Sequence, residues 1–344
     1  MPLPHPAMDV SAMLTGDLLR RSAQRFPDKT AIIRDATRLT YAELNAQANR
    51  LAHALAATGL ARGAKVAILS RNLPEYGVAF FGVAKSGLVL VNVSILYAPD
   101  ELEFVLDKAD AEALIFDAAF AAKVAAVRAQ CPRIRHYVSI GTAPDAVPLD
   151  AFLEGHSPAE PDFALNERDP FCMTYTGGTT GRPKGVLVDH RARAVTAHTV
   201  AVEEALDERD VVAIVTPLFH VAALNIMFQP AMLVGATCTF VTPWSPEKFM
   251  DTVTRDGVTA AFMVPTQANV LVSHAAFDAA QLATWRKLSF AGAPMPDWVQ
   301  VELKRRLPQL LLTQIYGQSE MGVLTSLRDW YLPGKLGSVG RQAY

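Results

Sequence analysis

Short β-branched runs alternate with amphipathic helical stretches along most of the chain, the pattern of strands joined by crossover helices in parallel sheets. An α/β fold follows. In the first half, Thr40 with Glu43 three residues on forms a capping box for a helix over about 41–58, which Gly59 stops. The pattern then predicts a strand at 65–69, a helix with Pro74 in its first turn, a strand at 88–93 and a helix starting near Pro99. A strand at 113–116, a helix over 118–130 and a strand at 136–140 close the series. Residues 141–169, rich in Pro, Ala and acidic side chains, read as a linker or lobe boundary. In the second half, strands are expected at 171–176, 211–215, 236–241, 259–264, 287–290 and 311–315, with helices between them. No short repeat occurs, so two sheet-centred lobes, 1–165 and 166–344, are expected rather than a solenoid.

Composition narrows the function classes. The chain has 344 residues, 51% hydrophobic and 19% charged, which excludes a disordered or collagenous protein and suits two domains of about 150 residues each. Thirty-two Lys and Arg against 34 Asp and Glu leave a net charge of -2, too little field to hold a polyanion, so nucleic acid is not expected as a partner. Cys131, Cys172 and Cys238 are odd in number and far apart, with no C-x-x-C pair. They suit a reducing compartment and argue against zinc or a disulfide scaffold. Residues 1–16 hold three prolines and no apolar core of signal-peptide length, so the cytoplasm is the expected location. Residues 211–246 contain no charged side chain, yet Pro217, His220, Asn225, Gln229 and Pro230 interrupt the stretch. It reads as strand, loop, buried helix and strand, not as a membrane span.

The most informative segment, Tyr175-Thr-Gly-Gly-Thr-Thr-Gly-Arg-Pro-Lys-Gly185, directly follows a predicted strand. Gly177, Gly178 and Gly181 allow close backbone approach, and successive N–H groups in such a turn make an anion-binding nest. Thr176, Thr179 and Thr180 add hydroxyl donors and Lys184 a point charge, a set suited to a polyphosphate. A plain surface turn would explain the glycines and threonines but not a lysine fixed behind Pro183. The segment is not a Walker A loop, since Gly185 and not Ser or Thr follows the lysine. No G-x-G-x-x-G occurs, and Met321 stands where a hydrolase elbow around Ser319 needs glycine.

Together with Pro217-Leu-Phe-His220, Ala291-Gly-Ala-Pro294 and Tyr316-Gly-Gln-Ser-Glu320, in that order, this loop resembles the adenylate-forming superfamily of acyl-CoA synthetases, peptide-synthetase adenylation domains and luciferases. The resemblance covers nearly the whole chain. It implies a two-step reaction in which a carboxylate and ATP give an acyl-adenylate and pyrophosphate, after which a thiol, usually coenzyme A, takes the acyl group. It also implies that Thr176 to Lys184 hold the β- and γ-phosphates and that Glu320 helps to coordinate Mg2+. Ser319 stands where threonine is usual and keeps a hydroxyl near the α-phosphate. Tyr316 would stack on adenine, with Gly317 beside it and Gly292, Ala293 and Pro294 on the other side. His220 would sit beside the acyl carboxylate. Without the resemblance, His220 and Tyr316 would read as core, 292–294 as an ordinary strand-to-helix turn and Glu320 as a solvated loop acid. Gly177 departs from the family pattern, where serine is commoner.

With His220 at the carboxylate end, the acyl group is expected along Val221, Ala222, Ala223, Met263 and Val264, with Ala291, Met321 and Val323 nearby. These residues carry no charge, so a fatty or aromatic acid is expected and not an amino acid, whose ammonium needs an acidic partner. The same run could equally serve as sheet core. In the family a β-rich subdomain and a mobile C-terminal domain with a catalytic lysine follow the Gly337–Arg341 stretch, and the chain stops at Tyr344. The resemblance therefore implies weak adenylation and weaker CoA transfer, with a non-catalytic binder of ATP or acyl-adenylate and an adenylation-domain fragment as alternatives. It also implies a monomer or homodimer.

Overall fold

The structure, a computed structural model, describes residues 12–177 and 182–344. Its strands in chain order are β1 (Thr30–Arg34), β2 (Thr37–Thr40), β3 (Lys65–Leu69), β4 (Val89–Asn92), β5 (Ala111–Asp117), β6 (His136–Ile140), β7 (Val147–Pro148) and β8 (Pro170–Thr176). They continue as β9 (Lys184–Asp189), β10 (Val211–Ile214), β11 (Thr237–Phe240), β12 (Ala260–Met263), β13 (Lys287–Phe290), β14 (Leu311–Gln318), β15 (Gly322–Leu327) and β16 (Arg341–Gln342). Helices cover the connections, and local chemistry sets their starts. Thr40 Oγ1 accepts from Glu43 N–H while Glu43 Oε2 accepts from Thr40 N–H, closing the expected capping box on helix Tyr41–Ala57. Helices Pro74–Ser86, Pro99–Lys108, Pro246–Asp256 and Pro265–Val272 open on proline, whose missing N–H costs nothing in a first turn. The stretch at 118–130 is not one helix: an α-helix at Ala121–Val127 is flanked by 3-10 turns.

The strands form two sheets. A seven-stranded sheet runs β7-β6-β5-β3-β4-β8-β9, parallel except where β9 returns antiparallel beside β8. A nine-stranded sheet runs β16-β15-β14-β13-β12-β10-β11-β1-β2, with β15, β16 and β2 added antiparallel to a parallel centre. The sheets interleave along the chain. β1 and β2 belong to the second sheet and β8 and β9 to the first, so the expected division at 165/166 does not separate them. The reason is packing. Helix 74–86, buried almost throughout, brings Phe80 and Phe81 against Phe171 of β8 and against Phe228, which touches Phe240 of β11. One core therefore reaches elements of both sheets.

The 141–169 segment holds β7 and a short helix, Leu149–Leu153. It is pinned where Glu160 pairs with buried Lys85, 2.9 Å away. The uncharged 211–246 stretch runs as read: β10, a loop, a buried π-helical segment (Ala222–Phe228) leading into helix Gln229–Val234, then β11. No described helix is long and apolar enough to cross a membrane.

Candidate active site

Ligands of open parallel sheets gather at the carboxyl ends of strands, and a cavity of about 230 Å3 lies there, past the ends of β10, β12 and β13 and beside β14. His220, Val221 and Ala222 reach it from the chain after β10, Val264 from β12, and Ala291 and Gly292 from β13. Ile315, Gly317, Gln318 and Ser319 supply the β14 wall, and Gly322 and Val323 close it from β15. Thr196, on helix His190–Glu203, completes a lining without a charged side chain.

Several positions are set by parity and close approach. On β12, successive side chains face opposite sides. Phe262 lines the cavity, whereas Met263, expected there, is wholly buried in the core on the other face. Ala223, also expected, is buried in the main core. The π-helical turn instead presents Asn225 and Ile226, in keeping with the use of such turns at functional sites. Met321 is 64% exposed and does not line the cavity, because the β14–β15 turn directs it outward. Tyr316 lies between Ile315 and Gly317, does not line the cavity and is 45% exposed, which excludes the core reading. Ala293 and Pro294 are likewise exposed and outside the lining. Gly317 is required by the hairpin itself: a Cβ there would sit 2.1 Å from the carbonyl oxygen of Gly322. Gly322 in turn has φ +71, and a Cβ on it would meet Thr196 Oγ1 at 2.6 Å.

His220 is held by its neighbours. Its Nδ1 accepts a hydrogen bond from Ala222 N–H, 3.2 Å long, which requires an unprotonated Nδ1. Surrounding protein lowers its pKa although one edge of the residue stays open at the cavity mouth. The neutral ring therefore keeps Nε2–H as its one donor. Upstream, Asn72 is buried, donates from Nδ2 to Thr216 O and accepts from Leu218 N–H at Oδ1, fixing the segment that carries His220. Sequence reasoning missed Asn72, Thr196, Asn225, Ile226, Phe262, Ile315, Gln318 and Gly322. Only Phe262 had a usable signal, the two-residue period of its strand.

The phosphate-loop candidates lie apart from this lining. Thr176 and Lys184 face each other where β8 and β9 pair, and Gly177 and Lys184 are exposed. Gly178, Thr179, Thr180 and Gly181 lie outside the described residues. Below the hairpin, Tyr76 donates to Asn92 Oδ1, and Asn92 Nδ2 donates to Thr174 Oγ1, a buried polar chain that fixes the root of β8. The guanidinium of Arg182 lies over the Phe104 ring at 4.8 Å. Among the described residues no group of three or more His, Cys, Asp or Glu could hold a metal ion. Glu320 is exposed, and among the described residues no hydrogen bond or ion pair ties it.

A model of the AMP-binding enzyme family matches residues 19–343. The chain belongs to that family. A feruloyl-CoA synthase from Amycolatopsis sp is 34% identical over 325 residues, covering 93% of this chain and 62% of its own. A long-chain-fatty-acid–CoA ligase of Mycobacterium tuberculosis is 32% identical over 287 residues, covering 82% and 56%. The chain thus spans about three fifths of the length of these curated relatives. Among solved structures, the inhibitor-bound N-terminal domain of FACL13 from Mycobacterium tuberculosis superposes with a TM-score of 0.88 at 29% identity, covering 96% of this chain and 82% of that one. An anthranilate CoA ligase bound to anthranoyl-AMP shares the fold, with a TM-score of 0.89 at 24% identity, covering 96% and 65%. The two-sheet α/β architecture is that of the large N-terminal domain of adenylate-forming enzymes.

Proposed function

We propose that this chain carries the nucleotide and acid sites of an ATP-dependent enzyme that turns a fatty or aromatic carboxylic acid into an acyl-adenylate and then an acyl-CoA thioester. The observation that carries this reading is the uncharged cavity that joins His220, Gly292 and Ser319. An amino-acid substrate would leave its ammonium unpaired there, since the lining offers no carboxylate.

In the first step a carboxylate oxygen attacks the α-phosphorus of ATP; the new C–O–P bond forms as the α–β anhydride bond breaks and pyrophosphate leaves. In the second, the sulfur of coenzyme A attacks the acyl carbonyl, AMP departs with the bonding pair and the thiol proton goes to solvent. The carboxylate is already a competent nucleophile at neutral pH, so positioning and charge stabilisation do the catalysis. His220 Nε2–H donates to the acid's carboxylate without adding charge, and Ser319 donates to the α-phosphate. Thr176 and Lys184 meet the outer phosphates, and Tyr316, Gly317 and Gly292 flank the adenine. Magnesium, when bound, neutralises and orients phosphate oxygens, and it keeps several waters while taking few carboxylates. Glu320, a single exposed carboxylate with no partner among the described residues, fits that role.

Calorimetric titration of the chain with N-acylsulfamoyl adenosines of graded acyl length tests the reading. Each added methylene should tighten binding about fourfold, the equivalent of about 0.8 kcal/mol, until the cavity is filled. Affinity that ignores acyl length would remove the cavity from the acid's path, and no binding would remove the nucleotide site with it.

A further inference from the structure

The chain leading to His220 is held by side-chain amides at the point where the sheet stops holding it. The ladder between β10 and β12 ends at Ala213 and Ala261. Beyond it the cavity takes His220, Val221 and Ala222 from one side and Phe262 and Val264 from the other. Gln267, in the first turn of helix Pro265–Val272, spans the opening. Its Nε2 donates to Val215 O at 3.3 Å, and its Oε1 accepts from Val264 N–H at 3.2 Å. These partners fix the orientation of the amide, because the reverse would set donor against donor and acceptor against acceptor. The side chain thus supplies across the gap what a neighbouring strand's peptide would have supplied. Asn72, past the end of β3 in the other sheet, does the same for the next residues, donating to Thr216 O at 2.9 Å and accepting from Leu218 N–H at 2.8 Å. Two amides from different sheets therefore hold 215–218, and His220 follows with its own N–H on Pro217 O at 3.0 Å.

We propose that Gln267 is a positioning residue for acid activation: by bridging β10 and β12 past the end of their ladder, it sets the place from which His220 donates to the acid. The inference rests on the reading of His220 as the donor to the acid's carboxylate. Gln267 does not line the cavity, so it acts through the backbone that it holds. Starting the helix needs only its Oε1, which takes the N–H of the residue before the first turn. The donor end is spent instead on Val215, five residues before His220, and that contact is what a helix cap leaves unexplained. Hydrogen bonds weaken steeply with misalignment, so a small drift of 215–220 is enough to lose the contact from His220.

The test is a double-mutant cycle on the full chain, read by calorimetry with N-octanoyl and N-benzoyl sulfamoyl adenosine, each against sulfamoyl adenosine itself, which lacks the acyl group. The measured quantity is the acylated-to-unacylated affinity ratio. A partly unfolded variant weakens both ligands by the same factor, so the ratio is untouched by a loss of stability. Gln267→Leu and His220→Ala should each lower the ratio about 5- to 10-fold, the size of one hydrogen bond. The double variant should lower it no further than His220→Ala alone, because a residue that acts through His220 is silent once the imidazole is gone. Gln267→Glu keeps the acceptor for Val264 N–H and loses the donor to Val215 O, so it should recover the parent's melting temperature without recovering the ratio. A ratio unchanged in Gln267→Leu, or recovered in Gln267→Glu, overturns the inference and leaves the role of His220 standing. Effects that multiply in the double variant also overturn it, since Gln267 would then act on the cavity independently. A ratio unchanged in His220→Ala, or no binding of the acylated compounds to the parent, overturns the reading of His220 and the inference together.

Discussion

Glu204 sits at the C-terminal end of helix His190–Glu203, fully enclosed, with one carboxyl oxygen that has no hydrogen-bond partner among the described residues. Burial pushes its pKa from 4.5 up to about 7; the neighbouring Glu203 adds to the rise, and Ser289, Arg328 and Lys287 only partly offset it. Between those two values the folded chain binds a proton that the unfolded chain has released, so stability falls as pH rises from 4.5 to about 7. The interval corresponds to about 3 kcal/mol. Glu204→Gln removes the titration and keeps the shape. His190 runs the other way. Burial lowers its pKa to about 4 from 6.5, so its contribution gains with pH over that range and masks Glu204 in the parent's own curve. The difference between variant and parent isolates the carboxyl. Urea unfolding followed by the fluorescence of buried Trp285, from pH 4.5 to 8.5, should show the variant near the parent at the acid end. By pH 8 it should be more stable by about 3 kcal/mol, with a plateau beyond. A difference that stays constant across the range would refute the reasoning, because lost hydrogen bonds alone do not titrate there.

Replacing His190 with Gln removes its opposing contribution, so the variant's stability relative to the parent, measured by the same unfolding series, should fall as pH rises from about 4 to 6.5 and then level off. Gly317→Ala brings a Cβ within 2.1 Å of a backbone oxygen. It should cost more than about 3 kcal/mol by denaturant midpoint and abolish acyl-adenylate analogue binding; a normal midpoint would show that the hairpin can open. Asn72→Ala leaves Thr216 O and Leu218 N–H unpaired in a buried site. A loss of about 2–4 kcal/mol and weaker analogue binding should follow, and unchanged calorimetric affinity would separate Asn72 from His220. Lys184 is exposed, so Lys184→Ala should leave the melting temperature within about a degree while weakening ATP binding roughly tenfold, a typical effect for one charge-assisted contact; equal affinity would sink its phosphate role.

Strands buried on both faces announce themselves by composition, and β3, β6 and β13 lie at the residues where aliphatic runs place them. The strands at the sheet margins do not. β2, β7, β9, β15 and β16 lie at or next to sheet edges, and their partial exposure erases the continuous apolar run. The same physics governs the site. Motifs mark the backbone where strands end, because glycines and turns there answer to local geometry: a Cβ on Gly317 would meet Gly322 O across the hairpin, and a Cβ on Gly322 would meet Thr196. Which side chain enters the cavity is decided by parity, and an error of one residue exchanges Phe262 for Met263 and a wall of the site for the opposite core. In the π-helical segment even the helical period fails as a guide, since the wider turn moves the facing positions to Asn225 and Ile226. The residues that confer chemistry on an adenylate-forming site are therefore legible as motifs, whereas those that would choose the acid sit where local periodicity breaks and only tertiary packing assigns a direction.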